Sequence, residues 1–574
     1  MDKATKSKSE NSDRIYFEDL IERIKQEKPD KHRLNQLKIE LCTKHKLKNM
    51  PTDIQILMNA KPKDLDLLKE FLITKPTRTI SGVAVIAVMS APFACPHGRC
   101  IYCPGGPNSF FGNVPQSYTG NEPSTMRGIR NDYDSYRIVF NRLEQYVVIG
   151  QNPEKAEVII MGGTFPSFGE EYKEDFVRNI FKAMNDFSNE FYKNGKFDLK
   201  AFKDFFELPG EVADKERQEH IKRKVLELKE KNKKTLIEEK KINETSNIRC
   251  VGLTIETKPD WGLLKHGNEM LDFGTTRIEL GIQTVFNDVL QKVNRGHDLA
   301  TSKESIRILK DLGFKLNFHM MPGLPDVTYE QDLESLRTLF TNPDFTPDML
   351  KIYPTLVMPK TPLEELYKQG KFTPMKTDEA AKLIVEAHKF IPRYCRVMRI
   401  QRDIPTKVTT DGVDKTNLRQ YVDILAKEKG VVFQDIRSRE IKGKAITGNP
   451  QFEIIEYESS KGKDFFISLK DDADKLLGFC RLRFVSQSLR PEITLKSAII
   501  RELHVYGVAT GIGLDGDVQH KGFGKKLMLK AEEIALEHKK DKVLVISGVG
   551  VKEYYKKLGY QDDGPYVSKV LSKN

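Results

Sequence analysis

From about residue 80 the chain alternates short apolar runs with longer helical stretches, the pattern of successive parallel βα units. The runs Val83–Met89, Glu157–Met161, Cys250–Ile255, Arg277–Ile282, Lys315–Met320 and Met349–Tyr353 predict six strands. Six such units make a partial barrel, whose functional residues gather at the carboxyl ends of the strands. Ahead of them Leu34, Leu37 and Leu41 fall at helical spacing, and residues 51–80 read as further short helices closing at Lys75-Pro-Thr-Arg78. An insertion between the second and third strands, 185–247, is centred on Lys215–Lys234, where alternating charge predicts an exposed, solvated helix. A different unit begins near residue 450: a strand over Ile499–Tyr506, an amphipathic helix over Lys525–His538, a strand from Lys542 and a short helix ending at Gly559. The expected organisation is a basic helical region at 1–79, the barrel at 80–394, a linker at 395–449 and an α+β unit at 450–574.

A chain of 574 residues accommodates three to four domains at about 150 residues each. It has no signal-like segment and no apolar run long enough to cross a membrane, and its polar first residues, 1–14, read as disordered. Cys42, Cys250, Cys395 and Cys480 are scattered singly, which fits a reducing cytoplasm better than a disulfide framework. The net charge of +12 and pI near 9.0 favour a polyanionic partner. Between residues 31 and 48 six Lys or Arg face the single Glu40, a footprint for phosphate carried by Lys38, Lys44, Lys46 and Lys48. A solvated helix face packed on a neighbouring domain would look the same.

The densest chemistry is Cys95-Pro-His-Gly-Arg-Cys100-Ile-Tyr-Cys103-Pro-Gly-Gly, directly after the first strand. Three thiolates on a short loop suit one face of a 4Fe-4S cluster, whose fourth iron stays open to chelate S-adenosylmethionine. The alternative is zinc with His97 as fourth ligand. Other strand ends supply matching groups: Gly162 and Gly163 after the second, Glu256, Lys258 and Asp260 after the third, Glu279 and Gln283 on or after the fourth, and His319–Pro325 after the fifth. Singly these are turn or capping residues; at one mouth they make a cofactor pocket. The C-x4-C-x2-C spacing resembles that of radical S-adenosylmethionine enzymes, with one extra residue in the first gap.

Gln519-His-Lys-Gly522-Phe523-Gly524, before the helix that opens at Lys525, exposes backbone N–H groups where a pyrophosphate is stabilised. With its flanking strands and the Tyr554-Tyr555…Leu-Gly-Tyr560 end, this order resembles the GNAT acetyltransferase fold, in which splayed strands admit the pantetheine arm. The whole chain resembles the catalytic subunit of Elongator, the third Elongator protein family, from about residue 50 onward. The matching motifs include Ser117-Tyr-Thr-Gly, Met161-Gly-Gly-Thr-Phe, Ile255-Glu-Thr-Lys-Pro-Asp, Asn294-Arg-Gly-His, Gln401-Arg-Asp-Ile-Pro, Arg501-Glu-Leu-His-Val-Tyr-Gly and Ile546-Ser-Gly-Val-Gly.

The resemblance implies an enzyme that transfers an acetyl-CoA-derived carboxymethyl group to carbon 5 of the wobble uridine of tRNA by way of a 5′-deoxyadenosyl radical. Its cofactors are a 4Fe-4S cluster, S-adenosylmethionine and acetyl-CoA. Cys95, Cys100 and Cys103 would ligate the cluster. Lys155, Glu502-Leu503-His504-Val505 and Phe523-Gly524-Lys525 would hold acetyl-CoA, with Tyr555 near the thioester and Glu502 the one evident base. The implied partners are the tRNA anticodon stem-loop, a second copy of the chain and, where an organism has them, other Elongator-type subunits, with no membrane. Some family members bind zinc in the linker; Val431–Arg439 has no cysteine, so no linker zinc is expected, and Arg396, Arg399 and Arg402 there read as tRNA contacts or interdomain ion pairs. A protein lysine acetyltransferase with a structural cluster is the alternative function.

Overall fold

The computed structural model describes residues 3–47, 50–61, 64–72, 82–210, 214–442, 444–506 and 522–572. All six expected barrel strands are present: β1 (Ala84–Met89), β2 (Lys155–Met161), β3 (Arg249–Thr257), β4 (Arg277–Gln283), β5 (Lys315–Met320) and β6 (Met349–Ile352). The sheet then takes a seventh strand, β7 (Arg396–Arg399), from the stretch read as linker. It lies parallel to β6, and the seven strands follow one another in chain order. Four residues with arginine at both ends carry no apolar run, which is why patterning passed over it.

Register gives this sheet two unlike faces. Val158, Leu253, Ile278, Leu280, Leu316, Phe318 and Leu350 belong to the main core under the surrounding helices. On the opposite, concave face Glu157, Thr254, Glu256, Arg277, Glu279, Lys315, Asn317, His319 and Lys351 fall side by side in the paired register. Parallel sheets are ordinarily apolar on both faces. A concave face lined with ionisable groups is therefore a feature that function, not folding, requires.

The insertion is only partly solvated. The helix Glu170–Phe191 runs into it, and Phe187, Phe191, Phe202 and Phe206 are buried together. Lys215–Glu230 fits the exposed expectation, with Val225 its one buried residue. The N-terminal region forms helices Lys3–Glu27, Lys31–His45, Asp53–Asn59 and Leu65–Leu72 around Tyr16, Leu20, Ile24, Leu37, Leu41, Ile56 and Leu68. Contrary to the expectation of disorder, the first helix starts at Lys3: no proline or glycine interrupts residues 3–27, and its second half buries a stripe on the bundle.

The second sheet comprises β8 (Gln451–Ser459), β9 (Gly462–Lys470), β10 (Leu476–Phe484), β11 (Ser497–Val505), β12 (Lys542–Val545), β13 (Gln561–Asp563) and β14 (Tyr566–Val570). Its order is β8-β9-β10-β11-β12-β14-β13, antiparallel except for β11 with β12. It docks on the amino ends of the barrel strands. Arg501 donates to the Phe314 carbonyl just before β5 and to the carboxylate of Asp348 just before β6, at 2.9 and 2.6–2.7 Å. Arg481 reaches the carbonyls of Asp348 and Tyr394 at 3.2 and 2.7 Å. Gly548 leaves no room for a side chain against the Val251 backbone of β3, and Tyr566 donates to the Leu312 carbonyl at 2.9 Å. The two sheets thus share one continuous core.

Candidate active site

The loop after β1 places Cys100 and Cys103 in an apolar bed of Val289, Val293, Met321, Leu324 and Leu363, with Cys95 half-buried beside it. Arg99 fixes the loop by donating to the carbonyls of Cys103 and Pro104 at 2.9 and 2.8 Å, and Gln116 Nε2 lies 3.2 Å from Cys103 Sγ. Burial pushes the Cys95 thiol up to about 11. Among the described residues only Glu256, Glu279 and His319 bring three ligand atoms within 4.8 Å of one another. The three cysteine sulfurs do not all lie within that distance of one another, and His97 Nε2 sits 3.3 Å from Cys100 Sγ.

Around the loop lie buried polar atoms with no hydrogen-bond partner among the described residues: Ser90 Oγ, His97 Nδ1, Asp260 Oδ1, Gln283 Oε1, Arg295 Nε and both nitrogens of His297, of which Nδ1 faces Asp260 Oδ1 from 4.0 Å. Leaving such groups unpaired costs about 1–3 kcal/mol each, so their concentration here fits a site built around a polar ligand. Gly162 and Gly163 have φ of +127° and +105°, and a Cβ on Gly162 would stand 2.1 Å from Ser90 Oγ. Bare backbone beside the cysteines is suited to a small amino-acid headgroup. Lys258 is buried and paired with Asp260 at 3.3 Å.

Below the rim, Glu279 is enclosed by His319 at 2.8 Å, Asn317 at 3.2 Å and the Lys351 ammonium. Burial alone would raise its pKa, but Lys351 and His319 hold it well below the usual carboxylate range. Glu256 accepts from the Tyr118 hydroxyl at 2.9 Å, and burial together with Glu279 pushes it up to about 7 against the pull of Lys351. His319 is lowered to about 4 by burial and Lys351, so it is neutral here. With Lys351 already pairing Glu279, this group is a charge-balanced polar wall. Arg277 continues the wall to the floor, 2.6 Å from Glu157. Lys155 stands half-buried at the start of β2, its pKa lowered by burial and Arg249.

The second sheet opens where β11 leaves β12: the pair is bonded only over Ser497–Ile500, so Arg501–Val505 lack a strand neighbour on that side. This is where an extended amide-bearing arm would add. The helix Phe523–Glu537 begins at Gly522, φ +73°, with no side-chain cap among the described residues and with Lys525 in its first turn. Gln519 lies outside the described residues. Tyr555 is buried and influenced by Cys480, whereas the hydroxyl of the neighbouring Tyr554, not singled out in the sequence, would stand 2.6 Å from a Cβ on Gly524. Glu502 is buried and bonded to Arg481 at 2.9 Å, which with Lys315 holds it below the usual carboxylate range. A carboxylate so engaged is a poor base. His504 packs between Phe479 and Tyr506, and burial lowers it to about 4.

The basic N-terminal stretch is largely neutralised. Lys38, expected to meet phosphate, is instead buried against Asp53, because its position on the helix faces the bundle. Arg33 pairs with Glu27 and Glu40, and Lys44 with Asp19 at 2.6 Å. Lys46 is exposed at the helix end; Lys48 lies outside the described residues. Arg396 ties the barrel to the second sheet through Glu440 and the Tyr506 hydroxyl, Arg399 pairs with Asp403, and Arg402 bonds the Ser117 carbonyl.

Residues 16–80 match the ELP3 N-terminal domain, 90–339 the Radical SAM superfamily, 347–428 the Radical SAM C-terminal domain and 432–560 the Acetyltransferase (GNAT) family. A tRNA uridine(34) acetyltransferase of Methanocaldococcus infernus is 40% identical over 572 residues, 97% of this chain and 99% of that protein. Elongator complex protein 3 of Homo sapiens is 38% identical over 554 residues, 94% of this chain and 93% of its own. The solved structure of the M. infernus Elp3 with an N-terminal deletion superposes with a TM-score of 0.69 at 36% identity, covering 86% of this chain and all of that one.

Proposed function

The chain belongs to the Elongator complex protein 3 family, and from that premise we propose that it modifies the wobble uridine of tRNA, placing an acetyl-CoA-derived carboxymethyl group on carbon 5. The observation that carries the reading is the placing of two sites on one polar face: the cysteine loop at the carboxyl rim of the barrel strands, and β11 at their amino floor. A uridine entering between them would meet both.

Cys95, Cys100 and Cys103 would hold the 4Fe-4S cluster, with Gly162, Gly163, Glu256, Lys258 and Gln283 around S-adenosylmethionine. The cluster, when bound, supplies the electron for reductive cleavage of S-adenosylmethionine, and with it the hydrogen-abstracting power that an unactivated methyl group demands. The protein's own part is geometric. The strand edge of Arg501–Val505 and the helix N-terminus at Phe523–Lys525 hold acetyl-CoA, and Lys155 faces it from the barrel side. Glu279, Lys351 and Arg277 keep the wall between the two sites polar and fixed. Lys46, exposed at the helix end, and Lys44, exposed although paired with Asp19, are the described lysines that would meet the tRNA backbone; Lys38 has no part in it. Elongator-type subunits as partners follow from the names of the eukaryotic relatives. A cytoplasmic location accords with cysteines that are all free, and among the described residues no helix is long and apolar enough to cross a membrane. A second copy of the chain rests on family resemblance. A lysine acetyltransferase is disfavoured by Glu502, which Arg481 occupies.

Anaerobically reconstituted protein is incubated with tRNA, S-adenosylmethionine, reductant and methyl-labelled acetyl-CoA, and the nucleosides are analysed by mass spectrometry. Label in a carboxymethyl group on wobble uridine, lost when Cys95, Cys100 and Cys103 are changed to alanine, is the expected result. Label confined to protein lysines, with no 5′-deoxyadenosine formed, overturns the proposal.

A further inference from the structure

The segment Asn294-Arg-Gly-His297 lies in a different βα unit from the cysteines, yet it closes over their loop. Asn294 Nδ2 donates to the Arg99 carbonyl at 2.9 Å, and the Ile101 amide donates to the Val293 carbonyl at 3.2 Å. Gly296 is packed so closely on His97 that a Cβ there would stand 2.3 Å from it. Arg295 is buried. One end of its guanidinium is anchored to the Gly281 carbonyl at 2.9 Å, and the other end, Nη1, points at Cys100 Sγ from 3.8 Å. Among the described residues no carboxylate pairs with it, and the Cys100 sulfur and the Gly281 carbonyl are the partners its two ends meet. The other nearby cation, Lys258, already has Asp260. A permanent positive charge, desolvated and aimed at a ligand sulfur, is an expensive thing to bury unless the negative charge it meets is large.

We propose that Arg295 sets the reduction potential of the cluster held by the cysteine loop, stabilising the reduced state through its guanidinium at Cys100. The inference rests on the cluster reading given above. Reduction adds one negative charge to a cluster already bound by three thiolates, and hydrogen bonds and cations at the sulfurs are among the levers that set such potentials. Arg295 is a positioning and tuning residue and touches neither tRNA nor acetyl-CoA. Asn294 and Gly296 hold the loop so that the guanidinium stays in reach.

The test is a redox titration of the reconstituted full-length protein, followed by the EPR signal of the reduced cluster, for wild type, R295Q, R295K and N294A. Removing the charge in R295Q lowers the reduced-to-oxidised ratio at a given potential about tenfold, a midpoint shift of ~59 mV downward for a one-electron couple. R295K, which restores the charge, returns the midpoint toward wild type; N294A, which loosens the loop but keeps the charge, leaves it in place. An unshifted R295Q, an R295K as low as R295Q, or an N294A shifted as far as R295Q overturns the inference. Should R295Q not load a cluster, wild type and R295K grown on 15N-arginine decide the matter by pulsed EPR. Nitrogen coupling to the reduced cluster, present in wild type and absent in R295K, is expected; no coupling in wild type overturns it. A wild-type protein that takes up iron and sulfide but no 4Fe-4S cluster overturns the reading beneath, and the inference with it.

Discussion

Replacing Asp348 by asparagine is the sharpest test of how the two sheets are joined. Asp348 is fully buried at the foot of β6, accepts two bonds from Arg501 at 2.6 and 2.7 Å and the Leu316 amide at 2.9 Å, and lies 3.5 Å from Arg481. Arg501 and Arg481 belong to the other sheet, and each keeps one further carboxylate partner, Asp464 at 3.3 Å and Glu502 at 2.9 Å. Two charge-assisted bonds at roughly 1.5–3 kcal/mol each come to about 3–6 kcal/mol, in line with the ~3–5 kcal/mol expected when one partner of a buried ion pair is removed. D348N should therefore lower the urea unfolding free energy by about 3–5 kcal/mol. R501M should cost as much, and D348N/R501M less than the two single changes summed, since each single change already removes the bonds between the two side chains. Arg501 and Lys310 hold both Asp348 and Asp464 far below the ordinary carboxylate range despite burial. Their contribution is thus fully present above about pH 4 and is lost as pH falls further. Single-mutant costs under about 1 kcal/mol, or additivity in the double mutant, would refute the assignment of this network as the rigid joint between the sheets.

Further expectations concern the two sites themselves. His504, neutral in the fold at a pKa of about 4 against an ordinary ~6.5, makes stability fall as pH drops from about 6.5 to 4, by up to ~1.4 kcal/mol per pH unit; H504F should flatten that limb in pH-dependent unfolding. Lys351→Met strips the ammonium from Glu279 and should reduce tRNA modification on the order of 10²-fold with iron content unchanged; activity within threefold of wild type would remove the polar wall from the site. Gly162→Ala meets Ser90 Oγ and should abolish S-adenosylmethionine binding in calorimetry while acetyl-CoA still binds. Neutralising Lys44, Lys46 and Lys48 should weaken tRNA binding and reduce its salt slope by about one unit or slightly less per lost phosphate contact, whereas Lys38→Met, which breaks the buried pair with Asp53, should lower bundle stability and leave the slope alone.

What the sequence made legible follows physical lines. Apolar runs marked six strands because each buries one face, and Cys95, Cys100 and Cys103 stood out because metal-ligand spacing is local. The concave wall was harder to see: Arg277 and Glu279, Lys315, Asn317 and His319, and Lys351 each break an apolar run, a period-two signal that only becomes a surface when the three strands are brought into register. Lys38 misled because a basic helix looks alike whether its lysines face phosphate or a carboxylate fifteen positions away in the chain; half-buried Asp53 supplies that partner. Tyr554 escaped for the same reason, since only the fold reveals that its hydroxyl rather than that of Tyr555 meets Gly524.

The GNAT unit is poorly furnished for transferring an acetyl group to an amine. Transfer to an amine asks for a base able to take a proton, which means a carboxylate or imidazole with a pKa near the working pH. Glu502 is ionised and tied to Arg481, and His504 is neutral with a pKa lowered to about 4. Both groups are engaged within the second sheet, Glu502 by Arg481 and His504 between Phe479 and Tyr506. The features proposed for acetyl-CoA are present among the described residues nonetheless: the strand edge beyond Ile500 and the helix that begins at Gly522. A unit that can hold acetyl-CoA but is poorly furnished to deprotonate an amine is suited to presenting the acetyl methyl group to chemistry supplied from elsewhere. Here that source lies at the opposite rim of the same polar face. Fixing both reactants on one rigid scaffold is worth several kcal/mol of barrier, roughly 7–11 in well-aligned cases, and the buried arginine–aspartate joint is what keeps the two rims in alignment.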